Sequence, residues 1–143
     1  MLRLSPAIFV CPTYHLMSAV GAKAYKVSII LISSTSASPF DNNIQSEFAI
    51  PPALHGDDTR YYFDSGAAPP YANPIFDKAF AEAFLDFSIS LNPNIKWDTT
   101  NIVTPTFVPW VGLHSEMVFN KTAAGAPDIR RSETDSGVLK RCE

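Results

Sequence analysis

The chain has 143 residues and a net charge of −3, and it is 46% hydrophobic and 17% charged, which excludes a disordered or strongly basic protein. A chain of this length forms one ordinary domain that could bury roughly 68% of its unfolded surface. The basic pairs Arg130-Arg131 and Lys140-Arg141 stand alone, so nucleic acid has no electrostatic footprint here. The apolar run Ile29-Ile30-Leu31-Ile32 falls far short of the ~20 residues of a helical membrane span.

The first ten residues are charged and partly apolar. Pro6 interrupts them and no small-residue cleavage site follows, so no working signal peptide is expected. Phe9-Val10 reads as an extended entry stopped by Cys11-Pro12. Leu16, Met17 and Val20 predict a short helix over 13–20, with Thr13 as N-cap and Gly21 just past its end. Ala24-Tyr25-Lys26 then opens an extended segment. The block 27–45 begins with the β-prone Val-Ser-Ile-Ile-Leu-Ile and dissolves into Ser, Thr and Asn.

Phe48 and Ile50 alternate as a strand that runs into Pro51-Pro52 and delivers His55 beside Gly56, Asp57 and Asp58. A histidine on a loop after a strand suits a general base, because imidazole exchanges protons near neutral pH. It also suits a structural or surface histidine. The aromatic triplet Tyr61-Tyr62-Phe63 follows.

Asn73-Pro74 opens the strongest predicted helix, with Asn73 as cap and Pro74 at its first position. Phe76, Phe80, Ala83, Phe84, Phe87 and Leu91 recur at helical spacing as a core-facing stripe, and Asn92-Pro93-Asn94 ends it. A Thr-rich extended stretch leads to Phe107-Val108 and Pro109-Trp110. Met117-Val118-Phe119 predicts a short edge strand, and residues 128–136 are expected to be mobile unless the tail is anchored. His15 and His114 have no Cys, Asp or Glu at metal-binding spacing, so both read as surface residues and no metal is expected.

Several of these segments carry a resemblance. Ala53-Leu54-His55-Gly56-x-Asp58 with its trailing aromatics, Cys11-Pro12 ahead of a helix, the helix ending in Asn92-Pro93-Asn94, and the stretch from Trp110 through Glu116-Met117-Val118-Phe119-Asn120 to Lys140-Arg141-Cys142 are together similar to the carboxylesterase/lipase type-B family, which includes the cholinesterases. The resemblance implies an α/β class. Residues 1–143 would be the C-terminal portion of an α/β-hydrolase fold, an incomplete sheet with flanking helices. In the family, a segment like Ala24-Tyr25-Lys26 runs almost directly into one like Ser46-Glu47-Phe48-Ala49. The block 27–45 is therefore either a loop insertion or a retained intron translated in frame.

The resemblance also implies roles. His55 would be the triad histidine of a parent that hydrolyses small-molecule carboxylic esters without a cofactor. In chain order the nucleophile and acid precede the histidine, yet no two glycines here are spaced as G-x-S-x-G requires. Losing the serine alone can cost on the order of 10⁶ in rate, so the isolated chain is expected to be inactive. Asp57 and Asp58 read as solvated turn residues, since the family's acid comes from a distant loop.

Cys11 and Cys142 match a disulfide pair of the family. Closing so long a loop contributes roughly 4–5 kcal/mol in the chain-entropy model. That pairing fits a secreted parent, as does the sequon Asn120-Lys121-Thr122, whereas in a reducing compartment Cys11 and Cys142 would be buried free cysteines. Trp97, Trp110 and the phenylalanine helix would be scaffold, with Tyr61, Tyr62 and Phe63 packed behind the histidine loop. The competing class is a non-catalytic cholinesterase-like binding domain or a truncated product without function. Oligomeric state is left open.

Overall fold

The structure, a computed structural model, describes residues 11–30, 58–63, 69, 71–100 and 103–142. Helix α1 spans Cys11–Val20. It starts ahead of the expected Thr13 because Pro12 lies in the first turn, where its missing N–H costs nothing. Tyr14 and Met17, three apart, are its buried side. A single 3₁₀ turn, Gly21–Lys23, follows with Gly21 at φ 72, the left-handed geometry glycine adopts without penalty. The chain then enters strand β1, Lys26–Ile30, so the first four residues of the block 27–45 are built into the sheet. The rest of that block lies outside the described residues.

Helix α2 is one short turn, Thr59–Tyr62. Helix α3, Pro74–Ser90, is the longest element among the described residues. The Asn73 side chain accepts from the amides of Ile75 at 3.0 Å and Phe76 at 3.2 Å, satisfying two donors the helix leaves open. Phe76, Ala79, Phe80, Ala83 and Asp86 are its buried residues. The predicted stripe is therefore corrected at its C-terminal end, where Phe87 is 36% and Leu91 71% exposed. The buried line drifts toward Asp86. Leu91 leaves the helix altogether as its cap, at φ 57.

Strands β2, Ser115–Lys121, and β3, Pro127–Glu133, complete a three-stranded sheet in the order β1-β2-β3. β1 runs parallel to β2, with Lys26 opposite Glu116 and Ile30 opposite Asn120. β3 runs antiparallel, with Ser115 opposite Glu133 and Lys121 opposite Pro127. One expectation is overturned. Met117-Val118-Phe119 belongs to the central strand rather than an edge, and its residues are buried on both faces. Residues 128–133 are a paired strand, because the turn through Thr122 and Gly125 folds them back onto β2. In that turn the Gly125 amide donates to Thr122 at 2.9 Å, and Gly125 sits at φ 80. The tail is anchored by helix α4, Ser136–Lys140, capped by Asp135.

Alternation along the strands sends successive side chains to opposite faces. Met117 and Phe119 point to the α3 side and join Tyr61, Phe76, Ala79, Phe80, Ala83 and Phe107 in the main core. The Phe119 ring meets those of Phe76 and Phe80 edge-on at 5.9 and 5.1 Å. On the opposite face, Tyr14, Met17, Ala24 and Trp110 form a second, smaller core against Val138, Leu139 and Cys142. The result is a mixed α/β arrangement, a small sheet with helices on both sides. No helix among the described residues is long and apolar enough to cross a membrane.

Candidate functional site

His55, Gly56 and Asp57 lie outside the described residues, so the general-base assignment rests on sequence. The described structure resumes at Asp58, three positions further on. The Asp58 carboxylate lies one turn before Tyr62 and acts on its phenol. Burial of the Tyr62 phenol pushes its pKa well above the usual tyrosine range, and the adjacent Asp58 charge adds to that. Asp58 is thus engaged within its own turn.

Helix α2 is seated firmly on α3. The Tyr61 hydroxyl accepts from the Tyr71 amide at 3.1 Å and donates to the Tyr71 carbonyl at 3.3 Å. Its ring packs on Phe76 and Phe80, and Tyr62 packs on Phe80 and Phe84. Phe63 meets the Tyr62 ring at 6.2 Å but does not reach the α3 phenylalanines. It is 71% exposed because the helix ends at Tyr62 and the chain turns extended there.

The Cys11 and Cys142 sulfurs are 2.07 Å apart and bonded, joining the start of α1 to the residues after α4. Asn120 of the sequon is 2% exposed and lies within central strand β2 opposite Asp128. Its burial removes it as a surface acceptor in the folded chain. His15 is exposed on α1. His114 is only half-buried, with its ring 4.6 Å from that of Trp110 and its backbone at φ 47. Of the two tryptophans expected as scaffold, Trp110 is 3% exposed but Trp97 is 77% exposed. The loop after α3 holds Trp97 by its backbone, whose amide donates to Asp86 Oδ1 at 2.9 Å, and leaves its ring outside.

One polar cluster escaped the sequence reading. On the face of the sheet opposite α3, Glu116 Oε2 pairs with Lys26 Nζ and accepts from Ser28 Oγ at 3.0 Å and Thr134 Oγ1 at 3.4 Å. Trp110 Nε1 donates to Thr134 Oγ1 at 3.3 Å, and Lys26 Nζ lies 5.4 Å from the centre of the Tyr14 ring. Lys26 also donates to Ser28 Oγ at 3.0 Å. A serine beside a lysine invites comparison with a nucleophile and its base. Here the lysine side chain is taken up by its ion pair with Glu116, so the serine has no free base beside it. The cluster ties β1, β2 and the end of β3 together. The sequence signal available was the polar alternation of Lys26 and Ser28, readable only once Glu116 is known to lie opposite.

Among the described residues no group of three or more His, Cys, Asp or Glu side chains is placed to hold a metal ion. No family model matches the chain, and neither a curated protein nor a solved structure does.

Proposed function

We propose that this chain is the C-terminal segment of a serine carboxylic ester hydrolase of the type-B carboxylesterase/lipase kind, contributing His55 as the base of a Ser-His-acid triad. The observation that carries the reading is the segment Ala53-Leu54-His55-Gly56-Asp57-Asp58 with Tyr61-Tyr62-Phe63 behind it. A parallel strand pair with helices on both faces is compatible with that placement, since parallel strands are covered on both sides in α/β proteins. In the complete enzyme His55 would take the proton of the attacking serine and return it to the leaving alcohol. The serine, the acid and the oxyanion donors would come from preceding sequence.

The test begins with full-length transcripts. Reads that extend in frame through a G-x-S-x-G elbow supply the rest of the enzyme, which is then assayed on a p-nitrophenyl ester as the wild type and as His55→Gln. The expected result is turnover that falls by roughly 10⁴-fold or more in the variant, with none from residues 1–143 alone. Full activity in His55→Gln, or a replaced serine in the elbow, overturns the reading. The replaced serine would favour the non-catalytic binding domain.

A further inference from the structure

We propose that the Cys11–Cys142 disulfide is a redox latch, whose reduction releases the α1/α4 layer from the sheet and uncovers Trp110 while the α3 side stays folded. The proposal rests on how the interior is divided. The main core draws its buried residues from α2, α3, β2 and Phe107, and none from α1 or α4. Among the described residues the opposite core is built on Tyr14, Met17, Ala24 and Trp110 and shares none of them with the first. The two interiors can part independently, as cooperative subunits of a fold commonly do.

The smaller layer is weakly self-supporting. α4 is five residues long with no buried residue, far below the length at which a helix persists alone. From the α1/α4 side the Trp110 ring is covered by Tyr14, stacked on it at 5.5 Å, with Val138, Leu139 and Cys142 packed around the cluster. His114 at 4.6 Å and the Thr134 hydroxyl hold it from the sheet side. The Trp110 backbone is held separately, its amide donating to the Ala24 carbonyl at 2.9 Å. Trp110 therefore stays on the sheet when its cover lifts. Both bridging cysteines are half-buried rather than enclosed, so a thiol reductant has access to the bond.

The chemistry is two-electron exchange with a dithiol. One reductant thiolate attacks a bridging sulfur and forms a mixed disulfide, and the second reductant sulfur then displaces the protein sulfur. The Cys11–Cys142 bond is broken, a disulfide forms in the reductant, and its two protons end on the cysteine thiols.

The test uses the full chain carrying Trp97→Phe, which leaves Trp110 as the single tryptophan. Adding dithiothreitol should raise acrylamide quenching of Trp110 by about threefold or more, reversibly on reoxidation, while amides of α3 and β2 keep their hydrogen-exchange protection. The Cys11→Ser/Cys142→Ser double variant should match the reduced protein without reductant. Two outcomes overturn the proposal: quenching that does not change on reduction, or loss of α3 protection in the same step as Trp110 exposure.

Discussion

Asn94 holds Phe107 by both ends of its side-chain amide. Its Oδ1 accepts from the Phe107 amide at 2.7 Å and its Nδ2 donates to the Phe107 carbonyl at 2.9 Å. The pairing imitates one rung of a sheet and fixes the irregular stretch that delivers Phe107 to the main core. Asn94→Ala should leave both backbone groups short of a partner and cost about 2 kcal/mol. Urea denaturation should show a lower midpoint with an unchanged slope. Asn94→Asp keeps the acceptor alone and should fall between the two.

Asp86 is 2% exposed, and Lys96 Nζ lies 3.2 Å from its Oδ2. Lys96→Met strands a buried carboxylate and should destabilise by about 3–5 kcal/mol. Asp86→Asn with Lys96→Met should be milder than Lys96→Met alone, because asparagine keeps an oxygen for the Trp97 amide and carries no charge. A double variant as unstable as the single would show that the charge is not the cause.

Burial raises the pKa of Tyr62, reinforced by Asp58, and that of Tyr14, where Arg141 opposes the shift. The folded chain therefore keeps phenolic protons that the unfolded chain releases above pH about 10. Stability is fully present below that pH and is lost as pH rises from there toward the folded values. Tyr62→Phe should flatten the alkaline decline while keeping the ring contacts with Phe80 and Phe84. Urea midpoints between pH 8 and 11 read this directly, and an unchanged alkaline slope would refute it.

Leu91 caps α3 at φ 57 and is 71% exposed, so the fold holds a branched side chain in left-handed geometry for little burial. Leu91→Gly should stabilise by about 0.5–1 kcal/mol. Thermal melts would show an upward shift, and a downward one would mean that Leu91 packs more than its exposure indicates.

Helix α3 was legible because its signals are local: Asn73-Pro74 at one end and phenylalanines at helical spacing. β3 was not. Its stretch Asp128-Ile129-Arg130-Arg131-Ser132 is polar and reads as loop until it is laid against β2. β2 itself carried a legible clue, since three consecutive apolar residues, Met117-Val118-Phe119, fit a strand covered on both faces better than an edge. Of the candidate site, His55 stands on sequence alone. The Lys26–Glu116 cluster depends on long-range register, which no local pattern encodes.

That register has a consequence during synthesis. Lys26 and its partner Glu116 are 90 positions apart, so β1 cannot pair with β2 until the residues between them have left the ribosome. At about 5–20 residues per second, the wait is roughly 5–18 s. Throughout it Ile29 and Ile30 have no β2 to pair with, and they open the β-prone, uncharged sequence run Ile29-Ile30-Leu31-Ile32. Nascent chains crowded on one message would meet each other through that run, and yield on expression should depend on how far apart the ribosomes are kept.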